Sequence, residues 1–367
     1  MGRVLIRFRL VFSLLFPLIF AAVLILRPEI ASGGAAKGLS LCFSVLIPSL
    51  FPFFICSNLI SELRFGERLG QKLQGIMGPL FGIGGAGSAA LVLGLLGGYP
   101  AGAQSAASLY RSGQLSKKET EQLLRFCNNS GPAFIFGVLG AGIFHSAAIG
   151  ALLYSVHLFC AVLTGLLLKR GNLMPSISNR QLPPPDVPGF SGAFTVSVKR
   201  AGNSMLQVCL FVVIFSVFSA CLSYFLSGWL PCSIQPAILG MLELSNGAAA
   251  LAECTLAPVF RLVTASFLLG FGGLSVFAQT CAILEEAGLS CSGLLLSKLL
   301  HGLLSAAVMY ILCTFFLPES LSAAAAFSES GGATSLPVSL FLFFLLAAIL
   351  SYRIRKITCG NGAHSCV

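Results

Sequence analysis

Charge is what this sequence has least of. Only 9% of its 367 residues are charged, against about a quarter in soluble proteins. A soluble fold of this length has no way to cover its surface with so few charged groups, so that class is excluded. One Trp, Trp229, and six Tyr leave little material for an aromatic belt. The apolar/polar alternation of barrel strands is missing too. So are the arrangements that carry covalent chemistry: there is no CxxC, no GxSxG, no HExxH and no phosphate-cradling loop. No enzyme, no cofactor and no metal site is expected. Thirteen Cys is an odd count, and Cys42, Cys56, Cys160, Cys209, Cys221 and Cys313 lie inside apolar runs, where thiols behave as small hydrophobes. Cys359, His364 and Cys366 match no standard metal-site spacing.

What is present is apolar. Hydrophobic residues make up 56% of the chain, with 31 Phe and a mean hydropathy of +0.92. The class expected is an all-α polytopic membrane protein embedded in a lipid bilayer. The net charge of +10 gathers at the ends of apolar segments, as the positive-inside rule requires of cytoplasmic loops. The same excess would also draw an anionic solute or an anionic lipid surface. No nucleic-acid partner is expected.

In chain order, residues 1–38 read as an N-terminal transmembrane helix, its apolar run Leu10–Leu26 preceded by Arg3, Arg7 and Arg9. Residues 39–170 read as a first half and 199–317 as a second. Residues 171–198, with Pro183, Pro184 and Pro185, read as a cytoplasmic Pro-rich linker, and 318–367 as a C-terminal helix with a basic tail.

The first half is organised around Leu93–Pro132. An apolar helix stops at Gly97, Gly98, Tyr99 and Pro100, and a small-residue helix carrying Gln104 resumes. Both ends of Ile83–Ser112 have cytoplasmic character, so the economical reading is a re-entrant hairpin with its tip at Gly98–Pro100. The next segment breaks at Asn128, Asn129, Ser130, Gly131 and Pro132. Broken backbone at membrane depth is tolerated only where it is buried in protein or lines a watery cavity. In the second half, Glu243, Ser245 and Asn246 interrupt one apolar segment, and Gly272 and Gly273 interrupt another that carries Gln279. GGYPAGAQSAASLYRSG and GGLSVFAQTCAILEEAG share a register at a fixed offset of 175 residues (97 to 272, 104 to 279, 113 to 288). Paired broken segments in two halves are a sequence pointer to a transport site. The acidic Glu285 and Glu286 favour an inverted second copy, while the basic C-terminus leaves the crossing count open at Ile234–Ala252.

The stretches IPSLFPFFICSNL, GGYPAGAQSAASLY, FCNNSGPAFIFGVLGAGIF, MLELSNGAAAL and FGGLSVFAQ resemble the sporulation integral membrane proteins of endospore formers, the YlbJ or SpoVV type, colinearly over residues 39–317. The resemblance implies nucleoside-recognition Gate domains and an architecture like that of concentrative nucleoside transporters. It further implies movement of dipicolinic acid across the outer forespore membrane. A nucleoside or metabolite carrier is the first alternative. The second is a non-transporting scaffold in contact with other sporulation membrane proteins.

A small anionic solute calls for hydrogen-bond donors at little cost in buried fixed charge. Half-helix N-termini at Ala101, Ala133 and Ser275 supply N–H groups, and the glycines permit close backbone approach. The expected substrate-binding set is therefore Gly97, Gly98, Tyr99, Gln104, Asn128, Asn129, Ser130, Ser245, Asn246, Gly272, Gly273 and Gln279. Gln104 and Gln279 are equally fit to bond a neighbouring helix, and Asn128–Ser130 to cap the helix that follows. Glu243 is the expected coupling-ion or proton site, since an intramembrane carboxylate is a functional candidate by default. His145 and His157 read as structurally satisfied. Cysteines introduced at Ser116 and Asn179 in a cysteine-free background should both be labelled from the cytoplasmic side; labelling of either from the opposite side would discard the hairpin.

Overall fold

The structure is a computed structural model, and it describes residues 17–18, 20–63, 65–169, 189–226, 229 and 231–316. The expected C-terminal helix and basic tail, and most of the Pro-rich linker, lie outside the described residues. The described residues are helical and contain no strand. Five helices are long and apolar enough to cross a membrane: Pro28–Glu62, Ala147–Leu167, Phe190–Phe225, Pro258–Glu286 and Leu294–Phe315. Gly87–Gly97 and Ala133–Ile143 are shorter apolar helices.

Helix α1 (Pro28–Glu62) opens with Pro28 in its first turn, where the missing N–H costs nothing. Its middle widens into a π-helical segment, Cys42–Leu46, just before Pro48 and Pro52. Proline removes ladder hydrogen bonds, and a π segment is one way a helix absorbs that loss. The amphipathic α2 (Phe65–Phe81) follows. Helices α3 (Gly87–Gly97) and α4 (Ala101–Arg111) pack on each other as a hairpin. Helix α5 (Lys117–Cys127) and the π-helical α6 (Ala133–Ile143) form an interrupted segment, and α7 (Ala147–Leu167) completes the half.

The second half begins with the 37-residue α8 (Phe190–Leu226), so helix starts inside the stretch expected as linker. Helices α9 (Gln235–Leu242) and α10 (Leu244–Glu253) pack as a second hairpin. Helices α11 (Pro258–Phe271) and α12 (Leu274–Glu286) form a second interrupted span, and α13 (Leu294–Phe315) closes the half. Helices α7, α11 and α13 pack together at the centre, while α1 and α8 run alongside one another. The α1–α8 contact depends on small residues: a Cβ on Gly38 would lie 2.9 Å from the Val213 Cα.

Both halves therefore read long helix, hairpin, interrupted span, helix. An offset of 144 residues, the sequence separation of the bonded pair His157 and His301, brings the helix bounds of the two halves into rough line. At that offset Tyr99 stands opposite Glu243 and Asn128 opposite Gly272. The 175-residue register of the sequence motifs instead lays the tip of a hairpin over the break of a span. The two GG-x4-AQ stretches thus occupy different kinds of element.

Ile234–Ala252, where the sequence leaves the crossing count open, holds two short helices packed on each other, α9 and α10. A pair of this kind that returns to the side it came from would give each half an odd number of crossings, and so an inverted second half. The positive-inside rule would then put Arg111, Lys117, Lys118, Lys169, Lys199 and Arg200 on the cytoplasmic side, with the α12–α13 turn, and would put Cys254 after α10 on the other. A chain whose only cysteine replaces Ser290 should be labelled from the cytoplasm, and one retaining only Cys254 from the opposite face. The same side for both would refute the inversion.

Candidate functional site

The first hairpin lies directly on the break between α5 and α6. Gly98 adopts φ +70°, and a Cβ there would fall 2.6 Å from the Gly131 Cα. A Cβ on Gly94 would fall 1.7 Å from the Cys127 carbonyl oxygen. Only glycine allows this approach of backbone to backbone. The break is wired in every direction. Asn129 Nδ2 donates to the Phe126 carbonyl at 2.7 Å, and Asn128 Nδ2 to Thr280 Oγ1 on α12 at 2.9 Å. The Ser130 amide donates to His157 Nε2 at 3.2 Å, and its hydroxyl to the Leu269 carbonyl on α11 at 3.1 Å. All three residues are buried.

The second half repeats the arrangement with different chemistry. Glu243 sits between α9 and α10, and its carboxylate accepts from the amides of Ser245 at 2.9 Å and Asn246 at 2.7 Å. A Cβ on Gly273, at φ +88°, would lie 3.2 Å from both the Gly240 carbonyl oxygen and the Leu244 amide nitrogen. Hairpin tip again rests on span break. The two pairs also touch each other: the Tyr99 hydroxyl lies 2.5 Å from where a Gly272 Cβ would stand, and Ser130 bonds Leu269. Four helix breaks thus meet in one place.

Of the expected residues, Gly97, Gly98, Tyr99, Asn128, Asn129, Ser130, Gly272 and Gly273 gather at this junction, with Glu243 at its second hairpin. Ser245 and Asn246 are buried beside Glu243. Asn246 also accepts from Ser216 at 3.0 Å and lines a cleft of about 510 Å³ between α1, α8 and the second hairpin. Gln104 is exposed and Gln279 half-buried, and the side chain of neither has a hydrogen-bond partner among the described residues. Glu243 already uses both oxygens as the cap of α10, so an ion coupled through it would share them with two backbone amides. Ser130 uses its amide and hydroxyl to tie α7 and α11 together rather than to cap α6.

Three residues at the junction escaped the sequence reading. Lys298 on α13 is 5% exposed and donates to the Asn128 carbonyl and, at 3.3 Å, to Asn129 Oδ1. Its ammonium lies 5.5 Å from the centre of the Tyr99 ring. His301, one turn on, stacks on His157 with ring centres 4.7 Å apart. Thr280 receives Asn128. A Lys and a His three residues apart in Leu294–Phe315, on one face of an otherwise apolar helix, was the signal available.

Replacing Gly98 by Ala should destabilise the purified protein by more than about 1 kcal/mol, because the backbone there is left-handed and the new methyl group has no room. Gly75 in α2, where a Cβ meets nothing within 4 Å, is the control. Thermal unfolding in detergent should show a drop of several degrees for Gly98→Ala and little change for Gly75→Ala.

Residues 43–178 match the Gate family model, described as nucleoside recognition. The chain is 30% identical, over 330 residues covering 81% of each sequence, to the sporulation integral membrane protein YlbJ of Bacillus subtilis (strain 168). No solved structure matches. The span composition, the helical fold and this similarity together place the chain as an integral, multi-pass membrane protein that belongs to the family of the sporulation integral membrane protein YlbJ.

Proposed function

We propose that this protein is a carrier for a small polar solute, held where the four helix breaks meet. The observation that carries this reading is the contact of two hairpin tips with two interrupted spans at one buried junction. Each break exposes helix-end N–H and C=O groups, which lipid cannot satisfy. Gathering them in one protected place satisfies some against each other and leaves others for a solute. Buried polar atoms without a partner at or beside this junction support the reading: Asn128 Oδ1 and Asn246 Nδ2. Binding at the junction of inverted repeats, on discontinuous helices, is a recurring plan among secondary transporters.

The solute we favour is dipicolinic acid, moved across the outer forespore membrane during sporulation. The similarity to a sporulation membrane protein supports this. A nucleoside is the second reading, favoured by the description of the matching family model. No nucleophile–base pair lies among the site residues, and we do not propose a chemical reaction.

The test is uptake by proteoliposomes holding the purified chain. Labelled dipicolinate should enter faster than into protein-free vesicles; a folded chain that moves neither dipicolinate nor nucleosides would reject transport and favour a scaffold. Asn129→Leu should insert at normal abundance and lose uptake by at least about tenfold, since it deletes a group bonded to both Phe126 and Lys298. Undiminished uptake by that variant would remove the break from the solute path.

A further inference from the structure

Lys298 is out of keeping with its surroundings. It is the fifth residue of the membrane-spanning α13 (Leu294–Phe315), between Ser297 and Leu299, and is 5% exposed. Among the described residues no Asp or Glu pairs with it. A charged group buried in this way is costly, and is ordinarily paired or functional. Its protein partners are two carbonyl-type oxygens at the C-terminal end of α5, those of Asn128 and Asn129. A helix C-terminus carries only a partial negative charge, about half a unit. An ammonium has three N–H groups, and two are used. One donor and much of one charge remain, facing the Tyr99 ring. The Tyr99 hydroxyl is buried beside it, with the Ser130 side chain as its polar neighbour. The imidazoles that flank the site add no negative charge, and the nearest acid of the second hairpin, Glu243, is engaged by two backbone amides.

We propose that Lys298 is the charge-recognising group of the solute site, taking one carboxylate of a small carboxylic acid with the Tyr99 hydroxyl as second donor. This inference rests on the transport reading above and narrows it to anions. It explains the placement of the lysine. A purely structural cap for α5 needs only a neutral donor, which serves a carbonyl without the desolvation of a charge. It also assigns different work to the two halves. The position equivalent to Lys298 in the 144-residue register is Tyr154, a neutral donor that bonds the Leu95 carbonyl of the first hairpin at 3.1 Å. The neutral member of the pair holds a helix end. The charged member holds a helix end and keeps a charge to spare. A solute with a carboxylate completes the pairing at the moment it binds. Once it leaves, the ammonium falls back on carbonyl oxygens alone, a weaker state that resists trapping the anion permanently.

The experiment uses the full chain in proteoliposomes with three labelled probes: dipicolinate, benzoate and uridine. The wild type should move dipicolinate. Lys298→Gln should raise its KM by roughly 10- to 100-fold, the loss expected for a charge-assisted hydrogen bond, while Lys298→Arg stays within a few-fold. Any benzoate transport should fall in parallel. An unchanged dipicolinate KM in folded Lys298→Gln would overturn the assignment. So would a wild type that moves uridine but neither acid, an outcome that leaves the carrier reading standing. A folded wild type that moves none of the three defeats the carrier reading itself. Should Lys298→Gln fail to fold, ligand-induced thermal stabilisation of the wild type decides, because a bound ligand raises the unfolding temperature. Stabilisation by dipicolinate and not by its uncharged dimethyl ester supports the lysine; equal stabilisation by both overturns it.

Discussion

A backbone N–H or C=O without a partner costs several kcal/mol in hydrocarbon, and the arrangement of this protein follows from that cost. Four helices are broken, at Gly98–Pro100, Asn128–Pro132, Glu243 and Gly272–Gly273. None of the breaks is left facing lipid. Each hairpin tip lies on the break of an interrupted span, and the two pairs touch through Tyr99 against Gly272 and Ser130 against Leu269. The long outer helices α1 and α8 make this possible. At 35 and 37 residues they reach roughly 50 Å or more at 1.5 Å per residue, more than enough to cross the bilayer while shorter elements meet inside.

The two interrupted spans meet at their breaks, where Ser130 bonds the Leu269 carbonyl of α11 and Asn128 the Thr280 hydroxyl of α12. The partners at the centre are nevertheless unlike. Asn128 and Asn129 occupy in the first half the positions that Gly272 and Gly273 occupy in the second, and Tyr99 the position of Glu243. Side chains from the first half therefore fill space that glycines of the second leave open, as the Tyr99 hydroxyl fills the space over Gly272.

The breaks themselves were legible in the sequence, because Gly, Pro and Asn clusters inside apolar runs have no other use in lipid. The first hairpin was legible for the same reason, since basic residues mark both its ends. The register between the halves was not. The letters GG-x4-AQ recur because close helix packing selects small residues wherever it occurs, in a hairpin at Gly97 and in a span at Gly272 alike. The register that matters is carried by position in the fold, and only His157 and His301 keep the same residue type among the site positions discussed. Glu243 illustrates a different limit. An acid in an apolar segment reads as a coupling site, yet its oxygens are held by the amides of Ser245 and Asn246. Sequence shows that a carboxylate is buried, not what it faces. Lys298 illustrates the same limit: a cation in the second turn of an apolar helix reads as a solvated helix end, and only the packing of α13 against the α5 break shows that it is buried.

The electrostatics of the junction turn on two charged side chains held in opposite ways. Glu243 accepts from the amides of Ser245 and Asn246 at the start of α10; those amides are neutral, so the carboxylate keeps its charge against the positive end of a helix dipole. Lys298 donates to the Asn128 carbonyl and to Asn129 Oδ1 at the C-terminal end of α5, where the dipole is negative. Each charge is therefore offset only in part, and in a low dielectric the remainder is felt more strongly than in water. In the carrier proposed above, an anion would meet the ammonium beside the Tyr99 ring and be kept from the carboxylate of the second hairpin.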